Sequence, residues 1–220
     1  MTIEAVVFDM DGVLIDAKDW HYEALNRALA HFGYDISRAD HLITFDGLPT
    51  RRKLEILSRE RGLPSGLHGF LNELKQQYTV SQVHLHCKPL FVHEYALSNL
   101  KARGYRLGLA SNSIRSTVEL MTCQSALAQY FDVMLSAEDV TRPKPDPEIY
   151  SRAAQLLGVA PGNCLVVEDN HNGIKAAEDA GCPLLVVNSV HDVQLDRILA
   201  AIGHAEERAA AIGHAQERAA

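Results

Sequence analysis

Basic charge is what this chain most lacks. Its 220 residues carry 21 Lys and Arg against 28 Asp and Glu, a formal net charge of −7. No basic footprint for a nucleic acid exists, so that partner is not expected. An acidic protein can still hold phosphate, but only locally, with a metal or a few placed cations. Long apolar runs are also missing. The N-terminus enters a short apolar stretch at 3–8 that contains Glu4, too short and too acidic for a secretion signal. No run approaches the length that a bilayer crossing needs, so no membrane partner is expected. Cysteine is sparse: Cys87, Cys123, Cys164 and Cys182 are scattered without a CxxC pair. That spacing argues against a disulfide framework and reads as reduced thiols of a cytoplasmic protein.

What is present is the composition of an ordinary globular protein, 47% hydrophobic and 22% charged. The length suffices for one large domain or for a core with a smaller insert. Near-continuous apolar runs at 3–8, 105–110, 131–135, 164–167 and 183–187 read as strands buried on both faces. Helical patterns at 91–102, 116–128, 147–157 and 173–180 alternate with them, the last stopped by Gly181. This order predicts an α/β fold with a doubly wound parallel sheet.

Residues 18–86 break that rhythm. Amphipathic segments at 20–32, 50–61 and 70–78, separated by Gly47-Leu48-Pro49 and Gly62-Leu63-Pro64, predict a small helical cap inserted after the first strand. The expected division is a core of 1–17 and 87–200, a cap of 18–86 and a tail of 201–220. The cap would stand over the strand ends where α/β folds bind ligands. In the tail, AIGHAEERAA recurs as AIGHAQERAA, differing only at Glu206 and Gln216. Ten residues rotate a helix so that equivalent positions drift by about 80°, so no single apolar stripe persists. The expectation there is an Ala-rich helix, solvated or packed on a partner.

The chemistry begins with Asp9-Met10-Asp11-Gly12-Val13, directly after the first strand. Carboxylates two residues apart in extended chain point to one side, with α-carbons roughly 6.6 Å apart. One can attack phosphorus while the other reaches the leaving oxygen. A second acidic pair, Glu168-Asp169, follows the fourth apolar run and would reach the same sheet edge. Four carboxylates in one crevice repel unless a cation sits among them, and oxygen ligands beside a phosphate favour Mg²⁺. Ser111-Asn112, after the second run, can donate hydroxyl and backbone N–H groups to phosphoryl oxygens, or else cap a helix. Lys144, between Pro143 and Pro145, is a cation on a stiffened backbone.

Strand then DMDGV, strand then SNS, PKPDPEIY, and VVEDNHNGIKAAEDAG resemble the four ordered motifs of the haloacid-dehalogenase superfamily. The resemblance extends to about Val187 and is nearest to the subgroup containing phosphoglycolate phosphatase and beta-phosphoglucomutase. It implies that Asp9 is a nucleophile forming an aspartyl-phosphate, its other oxygen on Mg²⁺. It implies that Asp11 serves as acid and base, its carbonyl also on the metal. Ser111 and Lys144 would hold the transferring group. Asp169 would ligate Mg²⁺ directly, and Glu168 would act through metal-bound water or Lys144.

Weaker candidates surround this set. His21 could orient Asp11 or touch substrate, or be a half-buried helix residue. Arg51, Arg52 and Lys75 could clamp a second anionic group, or be solvated cap cations. His84-Leu85-His86-Cys87 lacks the distant pair that a zinc site needs and reads as a hinge. His93 and His171 read as structural or exposed. The expected function is a Mg²⁺-dependent phosphatase acting on a small phosphorylated metabolite, with a sugar phosphomutase as the alternative. A non-catalytic phosphate binder would be marked by loss of Asp9 or Asp169, and both are present. Monomer and homodimer remain open.

Overall fold

The computed structural model of the chain describes residues 2–219, with side chains through Ala211. Strands β1 (Ala5–Phe8), β2 (Arg106–Ala110), β3 (Val133–Leu135), β4 (Cys164–Glu168) and β5 (Leu184–Val186) form one sheet in the order β3-β2-β1-β4-β5. Every pairing is parallel. Each apolar run is therefore a strand, four of them trimmed at their ends and the fourth extended to Glu168. The first starts at Ala5 because the backbone N–H groups before it are spent elsewhere: Ile3 donates to Glu206 Oε1 and Glu4 to the Asn163 carbonyl. From β1 the chain moves out through β2 and β3, then returns to lay β4 and β5 on the other side. The ligand crevice of such a sheet opens at the carboxyl ends of β1 and its neighbours.

The stretch after β1 carries α1 (Lys18–Ala30), α2 (Arg38–Asp40), α3 (Thr50–Arg61) and α4 (His68–His86). They share an apolar cluster of their own. Leu25, Ala28 and Leu29 of α1 meet Leu54 and Leu57 of α3, Leu71 of α4, and Ile36 and Phe45 between them. The 3–4 spacing on α1 is that of a one-sided helix.

Helix α4 corrects the reading of 84–87 as a hinge. The helix runs on to His86, with Leu71, Lys75, Thr79 and Val83 buried on one face at intervals of four. Leu71 belongs to the helical cluster, whereas Val83 belongs to the sheet cluster. Packing at both ends overrides the modest helix propensity of Thr79, Val80 and Val83. His84 and His86, two apart on a helix, face different directions.

Alternate β1 residues serve opposite layers. Val6 and Phe8 pack beneath α5 (Phe91–Ala102), α6 (Arg115–Gln124) and part of the C-terminal helix. Ala5 and Val7 pack against α7 (Glu148–Leu157) and α8 (His171–Asp179). Gly181, at φ 76°, ends α8, a conformation that favours glycine. His93 is buried, with Nε2 2.7 Å from the Val190 carbonyl, and His171 is exposed.

Helix α9 (Leu195–Ala219) contains the repeat. The first copy is not a detached tail. Ile202 is buried in the sheet cluster, as is Ile198 one turn before the repeat, and Glu206 accepts the Ile3 N–H. Most of the second copy's side chains lie outside the described residues. No helix among the described residues is long and apolar enough to cross a membrane.

Candidate active site

Asp9 stands one residue past β1, its backbone N–H donating 3.0 Å to the Val167 carbonyl of β4. The chain then turns sharply through Gly12, at φ 92°. A Cβ there would come within 2.0 Å of Asp169 Oδ2 and 2.4 Å of Lys18 Cε. Only glycine lets the turn approach the β4 end this closely.

Lys144, 3% exposed, is the hub. Its Nζ donates to Asp9 Oδ1 at 2.6 Å, Glu168 Oε1 at 2.7 Å and the Ala110 carbonyl at 2.8 Å. Burial alone would lower its pKa, but Asp9 and Glu168 outweigh that and hold it above the ordinary value. Tyr150 donates to the same Glu168 oxygen at 2.7 Å, with its ring centre 4.7 Å from Lys144 Nζ. Glu168 Oε2 accepts the Asp169 N–H at 2.9 Å. Glu168 thus faces Lys144 rather than the cavity. Burial, reinforced by Glu168 and opposed by Lys144, pushes Asp9 well above the carboxylate range.

Asp11 is held differently. His21 Nε2 lies 3.2 Å from Oδ1, Ser113 Oγ donates to Oδ2 at 3.0 Å, and Lys75 Nζ sits 3.1 Å from His21 Nδ1. Burial would raise the Asp11 pKa, but His21, Ser113 and Lys75 reverse it, leaving the carboxyl below its usual value. Burial and Lys75 keep His21 below its own usual value, so a neutral ring can accept from Lys75 and donate to Asp11.

The remaining residues sort by geometry. Ser111 is buried, with Oγ accepting the Ser113 N–H at 3.0 Å. The Asn112 amide lines the cavity together with Ser111. It accepts the Lys144 N–H at 3.0 Å and donates to the Gly47 and Lys144 carbonyls, so it braces the lysine loop and pins the insert. Neither residue caps a helix; α6 begins after Ile114. Asn170 caps α8 through the Gly173 N–H. Arg52 does not line the cavity. It pairs with Glu55 at 3.0 Å on the outer face of α3. Arg51 sits at the rim, its side chain 91% exposed and 3.2 Å from the same Glu55.

Lys18, Lys53, His41, Ser113 and Tyr150 were not singled out from the sequence. Lys53 shares the face of Leu57, four residues on, a signal that the run Arg51-Arg52-Lys53 obscured. Together these elements enclose a cavity of about 640 Å³ between the strand ends and the insert, reaching from Asp9 and Lys144 to Lys53 and His68.

One carboxylate oxygen each of Asp9, Glu168 and Asp169 lie within 4.8 Å of one another. Asp169 Oδ2 is buried and paired with Lys18 Nζ at 2.5 Å. A cluster of carboxylate oxygens at this spacing fits a hard divalent cation.

Residues 6–187 match the haloacid dehalogenase-like hydrolase family. The chain belongs to that family. This hydrolase is 32% identical over 192 residues to Phosphorylated carbohydrates phosphatase of Thermotoga maritima, covering 86% of this chain and 88% of the relative. It is 30% identical over 186 residues to Pyrophosphatase PpaX of Anoxybacillus flavithermus, covering 82% and 81%. Beta-phosphoglucomutase from Clostridium difficile shares its fold, with a TM-score of 0.81 at 24% identity over 92% of this chain and 98% of that one. Such relatives put this haloacid dehalogenase-like hydrolase among the phosphatases.

Proposed function

We propose that the chain is a Mg²⁺-dependent phosphatase of small phosphorylated metabolites, sugar phosphates foremost, working through an aspartyl-phosphate on Asp9. The observation that carries this reading is Lys144 bridging Asp9 and Glu168 at 2.6 and 2.7 Å, inside a cavity that also contains Asp11. A buried ammonium anchors the nucleophile and offers charge to an incoming phosphoryl group. Phosphoryl transfer needs positioning and neutralisation of this kind more than covalent activation. The Thermotoga relative is named for phosphorylated carbohydrates, and Asn72, Gln76 and Thr117 in the cavity wall suit sugar hydroxyls.

In the first step an Asp9 oxygen attacks phosphorus and the bond to the leaving oxygen breaks. Ser111 and Lys144 hold the phosphoryl oxygens. Asp11 is ionised beforehand, but a dianionic phosphate arriving next to it raises its pKa, so it can carry the proton that the leaving oxygen takes. In the second step Asp11 removes a proton from water, which displaces Asp9 and releases inorganic phosphate. Asp9, the Asp11 carbonyl and Asp169 would hold Mg²⁺, with Glu168 acting through Lys144; the ion supplies charge neutralisation for the bound phosphate. Residues 18–86 serve as a cap on the core of 1–17 and 87–200, with 201–220 as its C-terminal extension. Four free cysteines suit a reducing, cytoplasmic setting.

The test is phosphate release across phosphorylated sugars, glycolate and nucleotides, with Mg²⁺ and with EDTA. Asp9→Asn should abolish turnover, because an amide cannot form the acyl-phosphate. Release by well-folded Asp9→Asn protein would sink the mechanism. A sugar phosphomutase using the same Asp9 is the second reading. It is favoured by the ties from Asn112 to Gly47 and from Gln76 to Thr117, which hold the insert close enough to exclude water. An isomerised sugar phosphate without free phosphate would select it.

A further inference from the structure

Away from the cavity, two of the four cysteines face each other across the sheet. Cys164 opens β4, and Cys182 stands just before β5. The parallel register pairs Val166 with Leu184 and Val167 with Leu185, and the Val166 N–H donates to the Pro183 carbonyl at 2.8 Å. Carried back along both strands, that register sets Cys164 opposite Cys182. Both side chains point into the layer that packs on α7 and α8, beside Ala5, Val7 and Val166. Neighbouring strands run about 4.8 Å apart, inside the roughly 4.4–6.8 Å between α-carbons that a disulfide spans. Both are free thiols. Contact between them pushes Cys164 well above the ordinary thiol value and, against burial, holds Cys182 below it. Cys182 follows the exposed Gly181 and is 7% exposed, against 1% for Cys164. A thiol of lowered pKa nearer the surface is the one that an oxidant meets first.

We infer that Cys164 and Cys182 form an oxidation site, at which a peroxide converts the two thiols into a disulfide joining β4 to β5. With hydrogen peroxide, the Cys182 thiolate attacks one oxygen, the O–O bond breaks, and a sulfenic acid forms as the first water leaves. Cys164 then attacks the Cys182 sulfur. The S–S bond forms, the S–O bond breaks, and the Cys164 proton leaves with the hydroxyl as the second water. A dithiol reductant reverses the change. The link closes the chain over α8, the unit in which the far end of β4 carries Glu168 and Asp169. The other cysteines have no such partner among the described residues. Cys87 is buried, its thiol pushed up to about 11 by burial and donating to the Met121 carbonyl at 3.6 Å, and Cys123 is exposed.

The experiment treats the folded full chain with hydrogen peroxide in mild excess, removes the excess with catalase and counts free thiols in denaturant. The count should fall from four to two. The product should be two hydrogens lighter, and a tryptic digest without reductant should join peptides 153–175 and 176–197. Dithiothreitol should restore all four thiols. Cys164→Ser should instead stop at a Cys182 sulfenic acid that dimedone labels, whereas Cys123→Ser, on the surface, should form the link as wild type does. The oxidised chain should melt higher by roughly 5 °C, because the link restricts the unfolded chain. Four thiols remaining, a link through Cys123, or a link formed only after unfolding in urea would overturn the pair. A Tm lowered by the link would overturn its place in the native fold.

Discussion

Lys18 Nζ lies 2.5 Å from Asp169 Oδ2, joining the first residue of α1 to the carboxylate just beyond β4. Burial raises Asp169 above the usual carboxylate range, and the lysine only partly offsets it. A divalent cation at Asp169 must compete with that ammonium. Lys18→Met should therefore bind Mg²⁺ more tightly, by roughly tenfold in calorimetry, the worth of one charged contact. The metal-free variant should also melt lower and gain more from Mg²⁺ than wild type. An unchanged Mg²⁺ affinity would show that the lysine does not compete.

Asp169→Ala should weaken Mg²⁺ affinity and turnover together, with partial rescue at high metal concentration. Calorimetry separates the two effects. Retained affinity would move the ligand role to Glu168, the remaining member of the carboxylate cluster.

Asp11→Asn should lose roughly 10²–10⁴ in kcat, the usual contribution of a general acid-base group. Its hydrogen bonds to His21 and Ser113 can persist in an amide, so the fold should hold. A rate within threefold of wild type would leave Asp11 with the backbone contact alone.

Glu168 is fully buried and receives Lys144, Tyr150 and the Asp169 N–H. Glu168→Gln removes its charge while Lys144 stays buried, and should cost on the order of 3 kcal/mol in urea unfolding. Tyr150→Phe removes one hydrogen bond and should cost about 1 kcal/mol. Equal losses in the two variants would mean that the Glu168 charge contributes nothing.

Lys53 leaves a pH signature in stability. Its folded pKa of about 8 lies below the unfolded value near 10.5, so the unfolded chain binds more protons between those limits. Stability therefore rises with pH from about 8 to 10.5 on account of this group, and below pH 8 the full penalty is present. Lys53→Met removes the penalty, so its Tm should exceed that of wild type by roughly 5 °C at pH 7, with the gap closing toward pH 10.5. A constant gap across that range would show that Lys53 is not desolvated.

The linear chain determined the sheet and the reactive edge. Each buried strand is apolar on both faces, and Asp9, Asp11, Ser111, Lys144, Glu168 and Asp169 lie at or just past strand ends or in the loops that follow, so their convergence follows from parallel topology alone. Tertiary packing decided the rest. In Arg51-Arg52-Lys53 the three cations are equivalent as letters, yet only Lys53 falls on the face that Leu54 and Leu57 bury, while Arg51 and Arg52 turn to Glu55. Lys75 continues a buried stripe of α4 that local propensity would have stopped near Tyr78. The Asn112 side chain joins the Lys144 loop to Gly47, a segment 65 residues away, a tie that no local pattern announces. Strand ends are set by local pattern, whereas the facing of a helix cation depends on which neighbour covers the helix. That neighbour is known only once the chain is folded.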